Sequence, residues 1–338
     1  MSWRDQLRND PIDWLLETKD SGVRYLAMRD LLDCSPDDPE LVDARFQAHQ
    51  TGPIATIMSE MEDDGYWVKA GPGYNPKYRS TVWAMIMLAQ LGASALHDER
   101  VARACNYVLD HMAAGGQFTT TSSGAPSGTV DCLQGNMCAA LVDVGCTDER
   151  LDSAYEWMAR TVTGEGIAPK EEHKAAVRYF AYKCGPLFTC GVNNNQSCAW
   201  GAVKVMLAFS KWPATRRTPL IKRAIKQGID FLLGIDPATA EYPTPNGAKP
   251  NRAWWKFGFP VFYVTDLLQN VEALVALGYG HDKRLANALD FIRGKQDAEG
   301  RWPLEYDYAG KTWLDFGVKK QPNKWVTLRA LRVLKAVA

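Results

Sequence analysis

The 338 residues carry 39 basic and 39 acidic side chains, a formal net charge of zero, with 46 % apolar and 23 % charged residues. That balance argues against nucleic acid or an anionic membrane as a partner engaged through bulk charge, and the apolar runs break well short of the ~18 residues a membrane span needs. The opening Met-Ser-Trp-Arg-Asp-Gln has no apolar stretch of the secretory kind, so a cytoplasmic location with reduced thiols is expected.

Apolar residues recur at helical spacing over 10–18, 22–33, 42–62, 78–91, 98–113, 131–144, 148–161, 196–210, 216–233, 260–277, 282–296 and 322–337. No alternating strand pattern stands out. The helices are punctuated by a repeated turn. Leu91-Gly92 leads to His97-Asp98-Glu99-Arg100. Val144-Gly145 leads to Thr147-Asp148-Glu149-Arg150. Leu277-Gly278 leads to His281-Asp282-Lys283-Arg284. In each, Gly suits the left-handed end of one helix and Asp caps the next. Phe209-Ser-Lys-Trp-Pro213, followed by Arg216 and Arg217, is a degenerate fourth copy.

Twelve helices make six hairpins, and such hairpins stack as a solenoid or close into a ring. The helices expected inside, 78–91 and 260–277, are the more uniformly apolar. The links alternate in length. Those at 92–97, 145–147, 211–215 and 278–281 are short; those at 63–77, 114–130, 162–195, 234–259 and 297–321 are long and rich in Trp, Tyr, Pro and Gly. In a ring every second link lies at the same pole, so the long links form an ordered rim over a central cavity. The expected fold is therefore all-α: one (α/α)6 toroid of about six hairpins spanning residues 1–338, with its long loops at one end.

Residues 283–302, with a basic helix start, an apolar core, then Gln296, Gly300 and Trp302, closely resemble the QW motif of squalene–hopene cyclases. Weaker copies are Asp64-Gly65-Tyr66-Trp67, Gly115-Gly116-Gln117-Phe118 and Gly164-Glu165-Gly166-Ile167. The whole chain resembles the prenyltransferase and squalene-cyclase superfamily of toroids. In that family the Gln caps a helix and stacks on the Trp, tying adjacent hairpins together. The resemblance implies an enzyme acting on a small, largely apolar or isoprenoid molecule by lyase, isomerase or transferase chemistry. Three signatures are missing: the Asp-x-Asp-Asp acid of class II cyclases, the later His of protein prenyltransferases, and the Cys-His-Gly element of lanthionine cyclases.

Six of the eight cysteines fall from 132 to 198. Cys132 and Cys198 open neighbouring inner helices, and Cys184 and Cys190 lie on the link between their hairpins. Four thiols from three segments suit a tetrahedral zinc site. Four thiolates imply a structural site, and an open position a catalytic one. Asp131 would support such a site or replace one thiol. Buried core thiols and a disulfide are the alternative readings. Cys34, Cys105, Cys138 and Cys146 read as small core hydrophobes.

Asp266 follows the apolar Phe259-Pro-Val-Phe-Tyr-Val-Thr265 and is the first general acid–base candidate, unless it pairs with Lys324 or Arg79 to tie two hairpins. Lys77, Tyr78, Arg79, Trp83, Tyr263, Asn323, Lys324 and Trp325 are expected at inner-helix starts facing the cavity. Trp254, Trp255, Tyr306, Tyr308 and Trp313 form an aromatic wall or a set of loop anchors. His173, within Glu171-Glu172-His173-Lys174, reads as a solvated link residue. Two rival functions remain beside the small-molecule enzyme. One is a non-catalytic ligand- or protein-binding toroid with a structural, cysteine-held zinc. The other is a polysaccharide lyase or hydrolase, which would require paired carboxylates or a Tyr–His pair at the cavity. The sequence leaves substrate, reaction and oligomeric state open.

Overall fold

The computed structural model describes residues 2–167 and 184–338. His173 lies outside the described residues. Thirteen α-helices run through them: α1 (Ile12–Leu15), α2 (Ser21–Asp30), α3 (Pro39–Gln50), α4 (Gly52–Ser59), α5 (Thr81–Leu91), α6 (Glu99–Asp110), α7 (Asp131–Asp143), α8 (Arg150–Thr163), α9 (Ala199–Lys211), α10 (Pro219–Leu233), α11 (Leu267–Leu274), α12 (Ala286–Gly294) and α13 (Lys324–Ala336). One short antiparallel pair, β1 (Thr189–Cys190) and β2 (Gln196–Ser197), belongs to a long link.

Six of these helices form an inner ring. Helix α5 packs on α7, α7 on α9, α9 on α11, α11 on α13, and α13 on α2. The circle closes where Gly22 of α2 lies against Trp325 and Gly92, at the end of α5, lies against Leu26. The outer helices α3, α6, α8, α10 and α12 back their inner partners. The closed toroid expected from loop parity is therefore the fold. The inner helices are buried on nearly every side, which explains why α5 and α7 carry buried residues all round rather than an apolar stripe. The outer helices α6 and α10 keep a single buried face.

The tightest inner pair is α7 and α9. A side chain on Gly135 would collide with the backbone of Lys204, and one on Gly201 would sit 2.9 Å from Asp131 Cβ. Two glycines thus let these backbones approach.

The glycine–aromatic segments occupy equivalent places. Trp67 and Trp302 each donate their indole N–H to a carbonyl ten residues back, Ile57 O at 2.7 Å and Ile292 O at 2.8 Å. Their backbone N–H groups bond to a threonine on the next inner helix, Thr81 Oγ1 at 3.1 Å and Thr327 Oγ1 at 2.9 Å. Phe118 uses Gln134 Oε1 of α7 in the same way, at 2.8 Å. Trp67 and Trp302 therefore each tie the helix before them, α4 or α12, to the next inner helix, and Phe118 is anchored to α7. Gly65, Gly116 and Gly300 take left-handed φ and press on the backbone of Arg103, Ser153 and Asn9 respectively. Arg103 and Ser153 belong to the next outer helix; Asn9 belongs to the N-terminal segment, which takes that place in the last hairpin.

Gln296 fixes that closure. Its Oε1 accepts from Arg8 N at 3.0 Å and its Nε2 donates to Gln6 O at 3.1 Å. Gln6 in turn donates to Leu334 O of α13 at 3.1 Å.

Some boundaries differ from the periodicity. The helix expected over 42–62 breaks at Thr51, with Gly52 at φ 72°, into α3 and α4. The helix expected from 260 starts only at Leu267, because Asp266 is extended and its side chain caps Gln269 N. The helix expected over 10–18 shrinks to Ile12–Leu15.

Candidate functional site

All six inner helices run in the same direction, so their first turns share the pole of the long links. A cavity of about 770 Å³ opens there, over the starts of α7 and α9. Val130, Asp131 and Cys132 line it from α7, and Cys198, Ala199, Trp200 and Gly201 from α9. The β1–β2 segment adds Cys190, Val192 and Asn193. The 240–254 segment adds Tyr242, the proline-rich stretch 243–250 and Trp254. Tyr74, Lys77, Thr120 and Tyr263 complete the wall. Cys132 and Cys198 thus occupy one pole, as the parity of the links requires.

Asp131 is the only carboxylate among the described lining residues. It is the first residue of α7 and 3 % exposed. Its Oδ1 accepts a hydrogen bond from Cys184 Sγ at 2.9 Å. Its Oδ2 is buried with no hydrogen-bond partner among the described residues. Burial pushes the carboxyl up to about 8; the Cys184 hydrogen bond opposes the rise and nearby Cys190 adds to it. The acid is therefore largely protonated at neutral pH, and the bond from Cys184 leaves Oδ2 as the oxygen that carries the proton.

Burial also pushes the Cys132 thiol up to about 12, with Lys204 opposing. Cys198 is held well above the usual thiol range by its hydrogen bond with Cys190 and by burial. Cys184 is raised by burial and by Asp131. Cys132, Cys190 and Cys198 line the cavity with Asp131, and Cys184 bonds to that carboxyl. Yet no three His, Cys, Asp or Glu side chains among the described residues are grouped so as to hold a metal ion. The zinc expected from Cys132, Cys184, Cys190 and Cys198 does not fit the arrangement seen here.

Asp266 sits elsewhere. Its oxygens accept from Arg329 Nη1 and Nη2, both at 3.0 Å, from Gln269 N at 2.7 Å and from Gly258 N at 3.2 Å. Arg329 also grips Glu272, at 3.0 and 2.7 Å. Asp266 is thus the cap of α11 and half of a clamp between α11 and α13. Its partner is neither Lys324 nor Arg79. Lys324 bonds to Glu17 at 2.8 Å and Asp20 at 2.5 Å. Arg79 reaches the carbonyls of Lys311 and Thr312 and covers the Trp313 ring.

Of the expected aromatic wall, Trp254 alone lines the cavity, joined by Tyr263 from the residues expected at inner-helix starts. Trp254 Nε1 donates to Pro237 O at 2.8 Å, and Trp255 Nε1 to Ala238 O at 2.7 Å, so both anchor the 234–259 link. Tyr78 and Trp83 pack with Phe262, Tyr263 and Tyr308 as a plug beside the cavity. Trp325 stacks on Phe259 with centroids 4.8 Å apart.

Several features had no clear sequence signal. Tyr74, Trp200 and Tyr242 line the cavity but read as ordinary link or helix residues. Lys204, 0 % exposed in the middle of α9, bonds to Gln269 Oε1. Burial pushes its amine down to about 7, with Cys132 and Asp266 opposing. A lone Lys in a helix normally reads as a surface residue. A second cavity, of about 470 Å³, lies at the other pole; Asp30, Gln90, Asp143, Lys211 and Arg332 near the inner-helix ends are among its lining.

The chain matches no protein family model and no curated protein. Solved structures resemble it at low identity. A protein from Actinoplanes aligns at 14 % identity over 96 % of this chain and 89 % of that one, with TM-score 0.44. A GH76 α-mannanase from Bacteroides thetaiotaomicron aligns at 12 % over 96 % and 85 %, with TM-score 0.41. A type II terpene cyclase from Scytonema aligns at 14 % over 87 % and 97 %, with TM-score 0.31. No helix among the described residues is long and apolar enough to cross a membrane.

Proposed function

We propose that the long-link pole binds a small, mainly apolar molecule bearing one proton-accepting group, and that Asp131 donates the proton in a lyase or isomerase reaction. The observation that carries this reading is the Asp131 carboxyl: buried, neutral at pH 7, part of the cavity wall, with Oδ2 unpartnered. A general acid needs its proton in place at the working pH and within reach of the acceptor. Donation from Oδ2 leaves a carboxylate that Cys184 already hydrogen-bonds through Oδ1. Trp200, Trp254, Tyr74, Tyr242 and Tyr263 supply apolar contact and rings that favour an electron-poor centre.

A carbohydrate-cleaving reading asks for two carboxylates facing each other. The described cavity wall has one, which favours the small-molecule reading.

The test compares wild type with Asp131→Asn on a fractionated pool of small apolar metabolites, followed by mass spectrometry. Wild type is expected to convert at least one component, with the variant slower by about 10²–10⁴-fold. Equal conversion by both proteins defeats the role of Asp131. Retention of a component without conversion by either protein favours a binding toroid.

A further inference from the structure

The cavity at the short-link pole lies on the axis of the ring. All six inner helices contribute to its wall, with Asp30 of α2, Gln90 of α5, Asn136 of α7, Leu207 of α9, Glu272 of α11 and Arg332 of α13. It follows α7 from Asn136 to Asp143 and α13 from Arg329 to Ala336, in each case about 10 Å of helix rise. Ala89, Leu207 and Val275, towards the helix ends, are partly exposed, so the pit opens to solvent. Its volume of about 470 Å³ falls in the range of small-molecule sites and far exceeds the roughly 30 Å³ that one water takes.

The charged groups of this wall are already matched. Arg29 and Arg332 share Asp30, at 2.6 and 2.7 Å. Lys211 holds Asp143 at 2.7 Å. Arg329 holds Glu272 and, behind it, Asp266. Four cations thus face four carboxylates, and the pit favours neither an anion nor a cation. The neutral polar groups are mostly engaged as well. Gln90 donates to Val261 O at 2.9 Å and accepts from Val261 N at 2.8 Å. Gln269 Oε1 accepts from Lys204, and Ser210 Oγ donates to Leu207 O at 2.7 Å. Asn136 is the exception. It is 5 % exposed, it lines the deep end of the pit, and its Nδ2 is buried with no hydrogen-bond partner among the described residues. A buried donor without an acceptor is costly, and a ligand that supplies the acceptor removes that cost.

We propose that this axial cavity is a second ligand site, which takes a small uncharged molecule whose carbonyl oxygen accepts from Asn136 Nδ2. A carbonyl suits the amide better than a hydroxyl does, because a hydroxyl proton would need an acceptor of its own. The lining carboxylates are gripped by cations, and the Gln90 and Gln269 oxygens already accept. The rest of the ligand meets hydrocarbon, from Ile86, Ala139, Ala140, Phe259, Val261 and Val333. Asp131 and its cavity lie at the other pole, and this site stands without the chemistry assigned to them.

The experiment titrates the full chain with three probes on one ring skeleton, cyclohexanone, cyclohexylammonium and cyclohexanecarboxylate, followed by ligand-observed NMR at pH 7. Wild type is expected to bind the ketone saturably and to bind both ions at least about tenfold more weakly. Asn136→Leu keeps the size of the side chain but removes the donor. It is expected to melt no lower than wild type and to bind the ketone at least about tenfold more weakly. Leu207→Trp fills the pit from its partly exposed wall and is expected to abolish ketone binding. That variant retains Asn136, so its result stands whatever Asn136→Leu does to folding. Ketone binding that survives Leu207→Trp places the probe elsewhere and overturns the proposal. So does a wild type that fails to bind the ketone, or that binds either ion as tightly.

Discussion

Cys184 Sγ donates a 2.9 Å hydrogen bond to Asp131 Oδ1, joining two residues 53 positions apart at the start of α7. The bond anchors the end of the longest link to an inner helix and leaves the other carboxyl oxygen bare beside Gly201.

The Asp131 carboxyl titrates near 8 when folded, against 3.8 as its ordinary value. The unfolded chain therefore loses this proton first as pH rises. Below about pH 4 both states are protonated and the group is neutral to stability. Between about 4 and 8 it destabilises the fold progressively, by at most ~1.4 kcal/mol per pH unit. Urea midpoints of Asp131→Asn should match wild type most closely near pH 4–5 and exceed it increasingly towards pH 8. A difference independent of pH contradicts a neutral Asp131.

Lys204 works in the opposite sense. Its amine titrates near 7 when folded, against 10.5 ordinarily. Its cost to the fold is complete below pH 7 and fades as pH rises from 7 through 10.5, above which both states are neutral. Lys204→Met should therefore raise stability by at least about 1 kcal/mol at pH 6, even after Gln269 loses its partner. The gain should shrink by pH 10, as denaturant titrations at the two pH values would show.

The Arg329 clamp is a matter of fold. Arg329→Met leaves Asp266 buried without its guanidinium and should cost about 3–5 kcal/mol. Asp266→Asn should lower the melting temperature while leaving the activity per folded molecule close to wild type. A folded Asp266→Asn protein with activity reduced a hundredfold would return Asp266 to the chemistry.

Gly300 and Gly247 form a matched pair. Both have positive φ, 69° and 65°. A side chain at Gly300 meets the backbone of Asn9, whereas one at Gly247 meets nothing within 4 Å. Gly247→Ala should cost about 1 kcal/mol from backbone strain alone. Gly300→Ala should cost at least about 2 kcal/mol more, because it pries the N-terminal segment from the ring. Equal melting temperatures for the two variants contradict that role of Gly300.

The architecture was readable because it rests on periodic features. Gly92, Gly145 and Gly278 marked helix ends, and alternating link lengths placed Cys132 and Cys198 at one pole. Asp131 was legible as a candidate because it opens an inner helix beside that cluster. The partner of Asp266 was not legible: Arg329 lies 63 positions away, and only the neighbouring of α11 and α13 in the ring brings them together. Lys204 escaped notice because a lysine at helical spacing carries no sign of which way it faces.

The final hairpin is assembled from segments about 300 residues apart, with Gln6 bonded to Leu334 O and Arg8 to Gln296. A nascent chain lacking α13 can stack its hairpins but remains an unsealed arc, its apolar edge at α2 still waiting for a neighbour. The ring closes only when α13 reaches α2. Folding is thereby gated by contacts of very long sequence separation, the slowest kind to form, and any agent that shields α2 in the interval protects the molecule from sticking to another copy of itself.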